Sequence, residues 1–221
     1  MCLERFGVFS WIVLLFIMPQ GVKTRILGAS YLRPIPASIM TPWKPTREQI
    51  LEAERKTVRD VIAPDLRVLF SGINPGLYTA AVGHHFARPG NRFWRALHDA
   101  EFTERLLSPF AERELLKSGY GVTNIVARAT ATAELLTREE ILQGGKRLRT
   151  KVRRYRPRIL AILGLGAYRL AFKLPKADVG RQKCKIGDTI VWVLPNPSGL
   201  NAHYQQNDLA RLFRELKAEV S

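Results

Sequence analysis

The chain has 221 residues, of which 46% are hydrophobic and 24% are charged; this is enough apolar sequence for one full-sized domain and excludes a mainly disordered chain. Its 35 lysines and arginines against 19 aspartates and glutamates give a formal net charge of +16, which favours a polyanionic partner such as nucleic acid. Two cysteines and four scattered histidines exclude a four-thiolate metal cluster, so we expect neither a metal nor another cofactor.

An apolar run of about eleven residues, 8–18, lies near the start of the sequence. It is shorter than the roughly 20 residues that a membrane-spanning helix needs, so we expect no membrane association. Its length suits the core of a signal peptide, but Glu4 offsets the single positive charge of Arg5 ahead of it. We favour a dispensable extension or a misassigned start over residues 1–39, with the working protein beginning near Met40 in the cytoplasm.

A leader helix is predicted over residues 40–63. Ile50 and Val58 follow helical spacing, Thr46 can cap the first turn, and Pro64 ends the pattern. The main domain is then expected to occupy residues 64–221.

Four continuous apolar runs predict buried strands, and amphipathic stretches between and after them predict helices. This alternation with short links predicts an α/β fold, with a mostly parallel sheet covered by helices on both faces. The predicted strands lie within 66–76, 119–126, 158–166 and 189–199, and the predicted helices within 91–100, 137–155, 167–174 and 207–220.

Two turn-rich loops follow the first and last of these strands. They read GINPG at 72–76 and PNPSG at 195–199. Ligands of such sheets bind where loops leave the carboxyl ends of the strands, so Asn74 and Asn196 are expected at the same edge. Each asparagine alone is typical of an ordinary turn. A third loop, HHFARPGNRFW at 84–94, adds Phe86 for stacking on a base and Arg92 for a phosphate contact.

These segments, together with GVTNIV and LAILG, resemble in order and spacing the mismatch-specific uracil DNA glycosylases, the uracil and thymine glycosylase branch of the uracil glycosylase superfamily. The resemblance covers about residues 60–217. It implies a three-layer α/β/α sandwich with a central, mostly parallel sheet. It also implies a monomer without a cofactor that acts on a mismatched pyrimidine flipped out of double-stranded DNA.

The resemblance also implies roles for individual residues. Asn74 resembles the residue that positions the attacking water, and Asn196 the group that contacts the base near its developing negative charge. Phe86 resembles the aromatic residue that stacks on the extruded pyrimidine. The other implied contacts are Gly72 and Ile73 to the substrate, and Ser198, Gly199, Leu200, Asn201 and Arg92 to DNA.

An asparagine at the reacting centre indicates a slow enzyme. Breaking an N-glycosidic bond builds positive charge on the sugar and negative charge on the departing base. The Asn74 amide cannot accept a proton at neutral pH and can only orient a water molecule and donate hydrogen bonds. The expected reaction is hydrolytic release of uracil mispaired with guanine, as the first step of base excision repair, with the ranking of thymine and modified cytosines left open.

Two other interpretations stand beside this one. A non-catalytic nucleic-acid-binding module would use both asparagines only to turn the chain. Other glycosylase branches are disfavoured, because one needs four cysteines and another carries Asp in a GQDPYH-like loop. Ala202 stands where some members place an arginine that contacts the opposite guanine, so strictness toward that base is left open. The basic segment 146–158 is either a phosphate-binding face or a solvated surface.

Overall fold

The computed structural model describes residues 43–220, so the predicted extension at 1–39 lies outside the described residues. Five strands form one sheet in the order β2-β1-β3-β5-β4. The strands are Val68–Gly72 (β1), Tyr120–Asn124 (β2), Ile159–Leu163 (β3), Gly180–Ile186 (β4) and Thr189–Leu194 (β5). The helices are Arg47–Leu51 (α1), Leu77–Val82 (α2), Phe93–Asp99 (α3), Arg138–Tyr155 (α4), Leu165–Phe172 (α5) and Gln206–Val220 (α6), with 3₁₀ segments at Glu52–Arg55, Pro109–Ser118 and Ala133–Leu135.

The sheet is mostly parallel, as the sequence predicted. β2, β1, β3 and β5 run in one direction, and only β4 pairs antiparallel to its neighbour. All five residues of β1 and all five of β3 are buried, which explains why these strands read as continuous apolar runs. The α/β/α architecture is therefore confirmed.

In β1, β3 and β5, successive residues enter two separate cores because side chains alternate across a sheet. Phe70 of β1 and Trp192 of β5 point to the side packed by α3 and α6. Leu69 and Val191 point to the other side, against α4 and α5. Phe70 lies stacked on Phe213 of α6, with ring centroids 6.1 Å apart. The two cores lie between three layers, which are the helices α3 and α6, the sheet, and the helices α4 and α5.

The α4 and α5 helices approach each other closely at Gly145. A Cβ atom at this position would lie 2.5 Å from the carbonyl oxygen of Ala171. Glycine costs helical propensity in the middle of a helix, and here that cost is offset by close packing of the two helices. α4 begins as predicted, because Thr137 caps it through a capping box with Glu140.

The leader helix is shorter than predicted, because the sequence pattern placed its end at Pro64. Thr46 caps α1 as expected, but α1 ends at Leu51 and a 3₁₀ turn ends at residue 55. Beyond it the backbone is not helical, and Val61 exchanges backbone hydrogen bonds of 2.9 and 2.7 Å with Val122 of β2. This long-range pairing, together with the preference of β-branched residues for extended backbone, overrides the helical spacing.

The strand β4 was not predicted. Its burial alternates, with Arg181, Lys183 and Lys185 exposed and the residues between them half-buried. No apolar run marks such a strand. In the region described, 43–220, no helix combines the length and hydrophobicity required to cross a membrane.

The basic segment of α4 is partly engaged in internal contacts. Lys151 forms an ion pair with Asp60 and donates to the Thr123 hydroxyl at 2.7 Å. The guanidinium of Arg149 lies 4.2 Å from the centroid of the Phe172 ring. The six other cations of segment 146–158 are exposed: Lys146, Arg147, Arg153, Arg154, Arg156 and Arg158.

Candidate functional site

The strand register brings four loops to one edge of the sheet. Gly72 at the end of β1 pairs with Asn124 at the end of β2, and Leu163 of β3 pairs with Leu194 of β5. The predicted common edge for the two asparagine-containing loops is therefore confirmed.

The loops after β1 and β2 are joined by their backbones. The Val126 N–H donates to the Ile73 carbonyl at 2.9 Å, and the Thr130 N–H donates to the Pro75 carbonyl at 3.2 Å. In return the Leu77 N–H donates to the Thr130 carbonyl at 3.1 Å. These bonds fix the backbone on both sides of Asn74.

A cleft of about 350 Å³ opens at this edge, and both asparagines line it. One rim comes from the segment after β2, and another comes from the loop after β5. Five of the predicted site residues meet here: Asn74, Asn196, Ser198, Leu200 and Asn201. Five others do not line the cleft: Gly72, Ile73, Phe86, Arg92 and Gly199.

The Asn74 side-chain amide is held on its nitrogen side. Its Nδ2 lies 2.7 Å from the Thr130 hydroxyl oxygen, 3.0 Å from the Arg128 carbonyl and 3.2 Å from the Pro75 carbonyl. Backbone carbonyls only accept hydrogen bonds, so the donor nitrogen must face them, which fixes the amide orientation. Within residues 43–220 no hydrogen bond reaches the Asn74 Oδ1, which can therefore accept from a water molecule.

The Asn196 side chain takes part in the turn of its own loop. Its Oδ1 accepts a hydrogen bond from the Ser198 N–H at 3.1 Å, the local bond expected of a turn asparagine. Its backbone carbonyl accepts from the Asn201 amide at 3.0 Å. A contact from this side chain to a base would therefore come from Nδ2.

Phe86 packs beside the first loop rather than in the cleft. Its ring centroid lies 4.1 Å from that of Phe93, and a Cβ atom on Gly72 would lie 3.3 Å from its Cζ. Its backbone is in the left-handed region with φ of 54°, a conformation of sparse occupancy for a bulky residue. Phe86 as a whole is half-buried.

A buried histidine orients a further asparagine next to Gly72. His85 is 1% exposed, and its Nε2 donates to the Arg59 carbonyl at 3.0 Å, which leaves Nδ1 to accept from the Asn124 amide at 3.4 Å. Burial lowers the pKa of His85 below its ordinary value, against the opposing field of Glu112. His85 thus accepts this bond as a neutral imidazole. Asn124 lies at this edge of the sheet and was not among the predicted site residues.

The loop after β5 exposes an apolar side chain at its tip. Leu200 is 68% exposed, which is unusual for leucine and suits the wedge role predicted for it. A Cβ atom on Gly199 would lie 2.6 Å from the Gly90 carbonyl. Glycine therefore allows this loop to contact the loop before α3.

The side chain of Arg92 binds backbone carbonyls of the loop after β5. Its Nη2 donates to the Ser198 carbonyl at 2.7 Å and to the Asn201 carbonyl at 2.9 Å, and its Nη1 donates to the Tyr204 carbonyl. A guanidinium engaged in this way positions the loop. The phosphate contact predicted for Arg92 stays a prediction.

Three residues that follow β2 were not among the predicted site residues. Thr130, Thr132 and Glu134 line the cleft with Asn74. Their position directly after a strand that ends at the same edge was the available signal.

Comparison with known proteins agrees with this architecture. The family model for the uracil DNA glycosylase superfamily matches residues 59–217. The fold is similar to the solution NMR structure of a candidate uracil DNA glycosylase from Methanosarcina acetivorans, with a TM-score of 0.50 and 18% sequence identity over 74% of this chain and 98% of that one. The matched segment includes the whole sheet and every loop of the cleft, and the chain belongs to the uracil DNA glycosylase superfamily.

Proposed function

We propose that this DNA glycosylase releases uracil mispaired with guanine from double-stranded DNA, acting as a monomer. The observation that carries the proposal is the fixed amide of Asn74 at the cleft. Its nitrogen faces three acceptors within hydrogen-bonding distance, which turns its oxygen away from them and leaves it to accept from a water molecule. The net charge of +16 supports a polyanionic substrate.

The reaction follows from the groups available. The electron pair of the N-glycosidic bond leaves with the base, and the oxygen of a water molecule forms a new bond with C1′ of the sugar. The proton lost by that water goes to the uracil anion, so the products are uracil and an abasic site. Asn74 orients the water without taking its proton, and rate enhancement comes from positioning and from hydrogen bonds to the developing charges.

Preference for mismatches is explained by the cost of base flipping. Extruding a nucleotide costs a few kcal/mol of stacking and pairing, and a mispaired base costs least. The exposed Leu200 supports the proposal, since an apolar side chain entering the stack compensates for the vacated place. Asn201 and Ser198 on the same rim are proposed to contact the backbone nearby.

A panel of duplexes tests the proposal. Uracil, thymine and ethenocytosine are placed opposite guanine or adenine, and abasic product is measured by strand cleavage in alkali. We expect release of uracil opposite guanine to be fastest. Equal rates opposite adenine would reject the mismatch preference, and a lack of product from every duplex would favour the non-catalytic binding module.

Asn74→Ala separates chemistry from binding. We expect excision to fall at least about 100-fold, the scale of losing an oriented catalytic group, while affinity for the duplex stays close to that of the wild type. Unchanged excision by this variant would remove Asn74 from the mechanism.

A further inference from the structure

One carboxylate lies in the cleft with Asn74. Among the described residues that line the cleft, Arg88 and Glu134 are the two with charged side chains. Arg88 lies in the loop before α3, and Glu134 lies in the 3₁₀ turn Ala133–Leu135 that follows β2. A single negative charge at the substrate cleft of a protein with a net charge of +16 calls for a functional explanation, because it opposes the binding of phosphates.

Glu134 also lies where two clefts meet. It lines the Asn74 cleft and an adjoining, more apolar cleft of about 440 Å³ that includes Ile73 and Leu165. The carboxylate is exposed in the free protein, where water screens its charge. A duplex that covers both clefts would exclude this water, and the field of the carboxylate would then act at a lower dielectric constant.

The segment that carries Glu134 is tied to Asn74. The Thr130 hydroxyl accepts from the Asn74 amide at 2.7 Å and donates to the Thr132 carbonyl at 2.7 Å. Thr132 precedes the turn that contains Glu134. The Asn74 amide is therefore bonded to the same short stretch of backbone that carries Glu134.

We propose that Glu134 is a catalytic residue of this cleft, whose carboxylate stabilises the positive charge that develops on the deoxyribose as the glycosidic bond breaks. This inference rests on the proposed glycosylase function. The bonds formed and broken are those given above, and Glu134 carries no proton at any stage. Asn74 then provides the geometry of the attacking water, and Glu134 provides the countercharge that an amide lacks.

An electrostatic role fits the carboxylate better than that of a general base. Hydrogen bonds from its own backbone N–H and from the Thr132 hydroxyl hold the pKa of Glu134 below its ordinary value. Such a group stays ionised at neutral pH but is a weak proton acceptor there, since a general base works best with a pKa near the working pH. The rate of excision should therefore not decline as the pH falls from 8 to 6 on account of this group.

Two measurements on Glu134→Gln test the inference. The first is single-turnover release of uracil opposite guanine, which we expect to fall between about tenfold and 100-fold, in the range of lost electrostatic groups. The matched control is Glu139→Gln, which removes the same charge from an exposed residue whose carboxylate accepts a hydrogen bond from Gln143 and should excise at the wild-type rate. Equal rates for Glu134→Gln and the wild type would overturn the inference.

The second measurement does not depend on turnover. Binding is compared between a duplex with a cationic pyrrolidine in place of the nucleoside and a duplex with the neutral tetrahydrofuran analogue. We expect the wild type and Glu134→Asp to prefer the cationic duplex and Glu134→Gln to lose that preference, while its melting temperature shows that it is folded. A preference retained by Glu134→Gln would overturn the inference, whereas a wild type that releases no base would contradict the proposed function instead.

Discussion

The guanidinium of Arg92 donates a hydrogen bond to the Ser198 carbonyl at 2.7 Å. Further bonds to Asn201 and Tyr204 make Arg92 the link between the loop before α3 and the loop after β5. The backbone of Arg92 joins the same contact, since its N–H donates to the Pro197 carbonyl at 3.0 Å. A loop held at four points is preorganised before it meets DNA, which lowers the entropy that binding must overcome.

Replacement of Arg92 by lysine should weaken binding to the mismatched duplex about tenfold, because an ammonium group cannot span three carbonyls as a planar guanidinium does. Affinity is measured by fluorescence anisotropy. Arg95→Lys is the control, since Arg95 is exposed and bonds Asp99 on its own helix. Equal losses in both variants would contradict a positioning role.

Salt dependence distinguishes this role from a direct phosphate contact. Arg92→Met should leave the slope of log Kd against log salt concentration unchanged if the residue only holds the loop. A phosphate contact would reduce the slope by about one. The second outcome would establish the DNA contact that the sequence suggested.

Thr130→Val should slow excision about tenfold by removing an oriented partner of Asn74, with affinity for DNA unchanged. Thr130 is 2% exposed, and valine preserves its shape while removing the acceptor for the Asn74 amide. Single-turnover rates are compared with those of Thr130→Ser, which retains the hydroxyl. If the serine variant were as slow as the valine variant, the hydroxyl would not be the cause.

His85 should make the protein less stable in acid. Burial lowers its pKa below the ordinary value of 6.5, so as the pH falls through 6.5 the unfolded chain takes up a proton that the folded chain does not. The free energy of unfolding therefore decreases as the pH falls below 6.5. Urea unfolding of the wild type and His85→Gln measures this contribution as a difference in pH dependence, and parallel curves would contradict it.

Gly145→Ala should lower the free energy of unfolding by about 1–3 kcal/mol, because the new methyl group meets the Ala171 carbonyl and forces α4 and α5 apart. Gly166→Ala is the control, since nothing lies within 4 Å of a Cβ atom there. Thermal denaturation of both variants gives the comparison. A loss of stability limited to Gly166→Ala would be evidence against close packing at Gly145.

The strands β1, β2, β3 and β5 could be predicted because a strand that is buried on both faces has a continuous apolar sequence. β4 could not, since its exposed face is cationic and only its pairing with β5 makes it a strand. The prediction of a leader helix up to Pro64 was wrong for a related reason. Its later residues pair with Val122, a contact about 60 residues away that no local periodicity reports.

The positions of the two asparagines could be predicted because the strands that precede them could be predicted. Knowing that Asn74 and Asn196 follow parallel strands was enough to expect them at one edge, and both line the cleft. The orientation of each side chain was not predictable. It depends on Thr130 and Arg128 for Asn74, and on the internal turn bond to Ser198 for Asn196.

The edge strand β4 has a consequence for handling the protein at high concentration. An exposed sheet edge offers unpaired backbone groups to any other strand, and natural sheets prevent such pairing by placing lysine on the edge. Lys183 and Lys185 place this charge at every second residue along β4, in line with Arg181, which forms an ion pair with Glu219. Mutual repulsion between two such edges opposes the growth of aggregates by strand addition, and this protection weakens as added salt screens the charges.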